Sequence, residues 1–335
     1  DNTWPTVDTE LIDDVTLYSA KLIIPVTGPV IIDGAVAIHG DRVVHVGKRR
    51  WVLKALKQEM TAHGTIHERH WDGVLTPGLI NAHTHLQYSG MVQVGQGTYD
   101  RFRAWELAFN EVYAEAQKTQ PWKQWAEDGA RQMVESGTTA AADIVTDLDA
   151  AGALASQGMH GIAYWEVMGW HNAEWMEKGR TELIRQLRRM NEEQLPNLGI
   201  SPHAPYTLES EPFVDLPDIA RQLNMRLHIH LAETPLEAGT YPPVLTTYSA
   251  ADWSDHDWES YRQLKEVGKG ASAIQFVDQL GSLGPDVHIA HGVWANGEDR
   301  RILRQRGVGV ALCPRSNRIT NTGKDAPVRE YLEEG

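Results

Sequence analysis

Two rhythms of apolar and polar positions divide the chain. Up to residue 75, short Val- and Ile-rich runs, "VTLYSAKLIIP" and "GPVIIDGAVAIHGDRVVHVG", are punctuated by Gly-Asp and Asp-Gly pairs. Such pairs close tight turns between short strands, which predicts a small antiparallel, sandwich-like β unit over residues 1–75. Within it, Trp51 to His63 reads as helix, and "WDGVLTPGLINAHTHL" returns to strand.

From residue 76 onward, strand and helix patterns alternate. The strand candidates are "GLINAHTHL", "TTAAADIVTD", "GIAYWEVMGW", "LGISPHAPYT", "RLHIHLAET", "DVHIAHGVW" and "VGVALCPRSN". Helical periodicity fills the intervals, over Trp122 to Glu135, Thr181 to Asn191, Pro212 to Leu223, Ala271 to Leu280 and Glu298 to Arg306. Such alternation makes parallel strands joined by crossover helices. Seven units in series predict an α/β fold of the (β/α)8 barrel type over residues 76–335, with the eighth strand absent from this chain. "APVREYLEEG" reads as the seventh helix. A barrel short of a strand exposes two edges, so the expectation is that the polypeptide continues past Gly335. Two long insertions, Gln87 to Gln120 and Thr234 to Lys269, read as lids or binding loops.

Composition narrows the function. At 335 residues, with 41% hydrophobic and 23% charged residues, the chain suits a globular protein. A formal net charge of −14 argues against nucleic acid or an anionic membrane as partner. No apolar run approaches the ~18 residues that span a bilayer. The acidic start "DNTWPTVDTE" is no signal peptide. Cys313 is the only cysteine, which forbids an intrachain disulfide and suits a cytoplasmic setting.

Polar residues then gather at the strand ends. Strand one of the series ends His83-Thr84-His85, and alternation puts both imidazoles on one side. Strand four ends in His203, strand five carries His228, His230 and then Glu233, and strand six carries His288 and His291. In a parallel barrel these ends converge on one face, which predicts a metal site there.

"TPGLINAHTHL", "SPHAPYT", "HIHLAET", "HIAHGVW" and "ALCPRSN" resemble, in order, the motifs of the amidohydrolase superfamily, in its branch of mononuclear nucleobase and nucleoside deaminases and chlorohydrolases. The resemblance covers nearly the whole chain. It implies one divalent metal ion, zinc or else iron, held by His83, His85 and His230, with Glu233 as proton shuttle and His291 as the group that orients the attacking water. It also implies a substrate contact at His203. Gln87, Arg315 and Trp105 are the further substrate contacts expected. The branch uses an aspartate at the end of strand eight, which nothing here matches, since Asp143, Asp147 and Asp325 lie in other units. Within the branch, "NAHTHLQYSGM" followed by "GTYDRFRAWELAF" looks most like the aminodeoxyfutalosine deaminases of the futalosine route to menaquinone. The expected partner is a small nucleoside, and a homodimer is the assembly in view.

Several residues carry two readings. Phe102, Trp105 and Phe109 recur at helical spacing, either to pack on the barrel or to cover a hydrophobic substrate tail. Arg101 and Arg103 are solvated, or one of them meets a substrate carboxylate. Glu166 faces a site or forms a salt bridge, and Asn317 contacts substrate or caps a turn. His228 shares a face with His230 and either stacks below the metal or, the favoured reading, is a packed, hydrogen-bonded core histidine. His288, three residues before His291, is expected on the opposite side of its strand. Cys313 reads as a small buried apolar residue. Three functions stay open: a deaminase of an adenine-containing nucleoside, with an adenosine or S-adenosylhomocysteine type as the alternative to aminodeoxyfutalosine, a hydrolase that expels another leaving group such as chloride, and a metal-binding barrel without catalysis.

Overall fold

The computed structural model describes residues 11–335, apart from 194, 196, 240–263 and 265. They form two compact units that divide between Gly78 and Leu79.

In the first unit, strands β1 (Ile12–Ile23), β2 (Ile31–His39), β3 (Arg42–Lys48) and β4 (Met60–Leu75) form one sheet in the order β3-β2-β1-β4. Alternation turns Val15 and Leu17 of β1 and Ala35 and Ala37 of β2 to one face, where Val52 and Leu56 of the helix Arg49–Glu59 cover them. That helix is the second layer, so the unit is a sheet under a helix where the sequence suggested a sandwich. The helix ends before His63 because Met60 already pairs with Ile12. β1 and β4 run parallel, which corrects the all-antiparallel expectation; the intervening β2, β3 and helix supply the crossover that a parallel pair needs.

In the second unit, seven parallel strands curve into a nearly closed barrel. They are β5 (Leu79–Thr84), β6 (Thr138–Val145), β7 (His160–Val167), β8 (Leu198–Pro202), β9 (Arg226–Leu231), β10 (Val287–His291) and β11 (Gly309–Ala311), in sequential order. Ile200, Leu227, Ile229 and Ile289 point outward against Phe213 and Leu216 of the helix Ser210–Gln222 and Ile274 and Val277 of the helix Ala273–Gln279. This outer layer fixes strand orientation, and so decides which side chains face the barrel interior. Among the described residues, no helix is long and apolar enough to cross a membrane. Most of the insertion from Thr234 to Lys269 lies outside the described residues.

Candidate metal and proton-transfer site

Strand β9 shows how the histidines come together. Its Leu227, Ile229 and Leu231 belong to the outer apolar layer, so alternation turns His228 and His230 inward. His83 reaches the same space from β5, and His85 from just past its end. One ring nitrogen from each of His83, His85 and His230 lies within 4.8 Å of the other two.

Hydrogen bonds set the ring orientations. His230 Nδ1 lies 3.1 Å from the backbone carbonyl of His203, which can only accept, so Nδ1 carries the proton and Nε2 the lone pair. That Nε2 lies 3.2 Å from His85 Nε2. Two nitrogens sharing a tetrahedral zinc at ~2.0–2.1 Å would stand about 3.3 Å apart, so the spacing fits one cation. His83 Nδ1 meets His228 Nε2 at 2.9 Å, with the ring planes 7° apart. Burial, followed by neighbouring imidazoles, pushes His83 and His230 well below the ordinary histidine value and His85 down to about 3. Neutral imidazoles are the form that binds metal. The three residues therefore fit a divalent ion.

Beside them stands a buried carboxyl–imidazole pair. Glu233 Oε1 lies 3.5 Å from His291 Nε2, and both residues are buried. Burial pushes the Glu233 carboxyl up. Burial also opposes a charge on His291, but Glu233, Cys313 and Asn317 more than offset it and hold His291 up at about 9. Asn317 Oδ1 accepts from His291 Nδ1 at 2.9 Å, which aims Nε2 at Glu233. Local backbone completes the pair. Ala232 and His291 both adopt left-handed φ, at 55° and 79°, and so break strand alternation at the ends of β9 and β10. Glu237 accepts the backbone N–H groups of Ala232, Glu233 and Thr234 at 2.8, 2.8 and 3.0 Å, which ties the turn that carries Glu233.

Residues 74–241 match the family model described as the amidohydrolase family. The chain belongs to the amidohydrolase family. A 5-methylthioadenosine/S-adenosylhomocysteine deaminase of Moorella thermoacetica is 29% identical in an alignment 325 positions long that covers 93% of this chain. This amidohydrolase spans 66% of that relative's length, just under two thirds. Among solved structures, a zinc-bound adenosine deaminase from Xanthomonas campestris superposes with a TM-score of 0.70 at 22% identity, over 97% of this chain and 67% of the other. The Helicobacter pylori aminofutalosine deaminase in complex with methylthio-coformycin gives 0.73 at 18% identity, over 95% and 74%. At those identities the structures show a shared fold.

The structure brings His83, His85, His203, His230, Glu233 and His291 of the amidohydrolase together and leaves other candidates apart. His203 Nδ1 bonds Thr207 Oγ1 at 2.8 Å; that hydroxyl gives its own proton to the Ala204 carbonyl, so His203 Nε2 is a bare acceptor. Gln87 is buried, with its carboxamide spent on Thr146, through Nε2 to Oγ1 at 2.6 Å and through Oε1 from the backbone N–H at 2.8 Å. It ties two loops and is not a free hand for substrate. Arg315 is exposed on the short helix Pro314–Ile319, past the strand end where it was expected. Trp105 packs on the main core against Phe102 and Phe109, 5.2 and 5.5 Å away between ring centres, so the packing reading holds for it. Arg103 is largely buried against Glu106 at 2.7 Å, not solvated.

Asp143, Asp147 and Asp325 stay outside the cluster: Asp143 accepts the Leu86 N–H at 2.8 Å, Asp147 holds the Asp149 N–H at 2.9 Å, and Asp325 lies exposed 3.8 Å from Arg318. His288 pairs in register with His228, and their rings lie 6.2 Å apart. It thus shares the barrel interior, because the left-handed turn falls at His291 itself. Cys313 is half-buried and close enough to His83 and His291 to join a ligand set, not sealed in apolar core. Glu237 and Asn317 as positioning groups escaped the sequence reading. Three backbone N–H groups donated to the Glu237 carboxylate, and one bond between side chains 26 residues apart, carry their roles.

Proposed function

We propose that this amidohydrolase removes the exocyclic amine of an adenine-containing nucleoside by hydrolysis and releases ammonia. The observation that carries the reading is the Glu233–His291 pair, 3.5 Å apart, set beside three metal-competent imidazoles. The relative from Moorella thermoacetica, named as a deaminase of adenine nucleosides, supports the substrate class.

His83, His85 and His230 would hold the ion, zinc or iron. A bound divalent ion there supplies Lewis acidity, which makes water a usable nucleophile near neutral pH. Glu233 takes the proton of that water as its oxygen bonds the amino-bearing ring carbon, then gives it to the adjacent ring nitrogen. The proton left on the added hydroxyl then passes by way of Glu233 to the amine, the carbon–nitrogen bond breaks as the carbon–oxygen bond becomes a carbonyl, and ammonia leaves. His291, fixed by Asn317, donates towards the oxygen as it adds. The bare Nε2 of His203 accepts a hydrogen bond from substrate.

Three nucleosides suit this chemistry. The sequence from Asn81 to Met91 and from Gly97 to Phe109 favours aminodeoxyfutalosine and hence menaquinone biosynthesis. The relative's name favours methylthioadenosine or S-adenosylhomocysteine. The test is ammonia release by the metal-loaded full-length protein from adenosine and all three of these. Glu233→Gln is expected to keep its metal and lose turnover by at least about a hundredfold. Silence on every adenine nucleoside, or normal turnover in that variant, overturns the proposal.

A further inference from the structure

A cavity of about 490 Å³, within the size range of small-molecule sites, is walled in part by Tyr88, whose ring stacks on that of His85. Tyr88, Phe109, Tyr113, Trp165 and Trp170 supply its apolar walls. Two polar atoms in its lining are buried and bond nothing: Oε1 of Glu166, from β7, and Nε2 of Gln186, from the helix Arg180–Glu192. Glu166 is 8% exposed, and its Oε1 stops 3.9 Å from His230 Nδ1, beyond hydrogen-bond range. An unbonded buried polar atom is costly, and two in one aromatic cavity mark the place of a polar ligand.

We propose that Glu166 and Gln186 form a two-point subsite for the sugar hydroxyls of the nucleoside, and that the aromatic walls around them take a 5′ substituent without negative charge. A hydroxyl both donates and accepts, so it satisfies a carboxyl oxygen in either protonation state and also accepts from the Gln186 amide. The apolar face of a sugar packs on aromatic rings. Among the described residues, the lining holds no lysine, arginine or histidine, while Glu166 and Glu182 both belong to it. Lys178 stands over the Trp170 ring at 5.8 Å, and Arg103 is held by Glu106 at 2.7 Å. A carboxylate placed here would find no cation in the lining, whereas a methyl or thioether tail would meet matching surface.

The inference rests on the deaminase reading and sharpens its substrate. Four probes test it on the metal-loaded full-length protein: adenosine, 2′,3′-dideoxyadenosine, 5′-deoxyadenosine and adenosine-5′-carboxylic acid. Gln186→Leu is expected to raise KM for adenosine about threefold to tenfold with kcat kept, Gln186→Glu, which can still accept from a hydroxyl, to raise it less, and both to leave the dideoxy compound unchanged. The 5′-carboxylate is expected to fall at least about tenfold below 5′-deoxyadenosine in kcat/KM. Quenching of tryptophan fluorescence reads affinity for the same four probes without turnover. Equal effects of the Gln186 variants on adenosine and its dideoxy analogue, or preference for the carboxylate, overturn the subsite. Binding of this pattern without ammonia release would leave the subsite standing and overturn the deaminase reading.

Discussion

His83 and His228 lie with their ring planes 7° apart, and Nδ1 of the first meets Nε2 of the second at 2.9 Å. This bond fixes which way His83 presents its other nitrogen. Groups that orient a ligand in this way commonly contribute tenfold to hundredfold in metal affinity. His228→Ala is therefore expected to weaken binding of the divalent ion by about that factor while the fold persists. Competition with a chelator of known affinity measures it. Unchanged affinity would reduce His228 to packing.

Glu237 holds three consecutive N–H groups at the turn that carries Glu233. Gln at this position offers one acceptor oxygen and turns a donor towards another donor. Glu237→Gln is expected to cost about 2–3 kcal/mol of stability and to lower kcat at least tenfold with metal content kept. Urea unfolding and single-turnover rates check the two parts. Full activity would mean that Glu233 needs no such support.

Asp143 gives a pH dependence. Burial lifts its carboxyl from the ordinary 3.8 to about 8, although the Leu86 N–H works against the shift. The folded state then keeps a proton that the unfolded chain loses near pH 4. Stability tied to that proton is complete below about pH 4 and is lost as pH rises to about 8, by about 1.4 kcal/mol per pH unit. Asp143→Asn keeps an acceptor for Leu86 without the titration. Its unfolding free energy is expected to fall less steeply than that of the parent across this window. Parallel slopes would contradict the assignment.

Much of the fold was legible because its elements are local. The helix expected over Trp122 to Glu135 is found over those residues, since its apolar spacing repeats within one segment. The histidines of β5, β8 and β9 were legible for a related reason: strand alternation and barrel topology together dictate where strand ends point. What escaped depends on partners distant in sequence or on backbone rotation. Gln87 looked available until Thr146, 59 residues on, occupied both ends of its amide. Alternation misplaced His288 because a non-glycine residue, His291, takes a φ of 79°. Glu166 and Gln186, 20 residues apart and on different elements, share a cavity that no periodicity reveals.

The central claim is that His83, His85 and His230 hold one cation together. Metal content of the purified protein, compared with His85→Asn and His230→Asn variants that keep native circular dichroism, tests it most directly. The account predicts about one divalent ion per chain in the parent and less than about a tenth of that in either variant. Undiminished metal in a folded variant lacking either imidazole would contradict it.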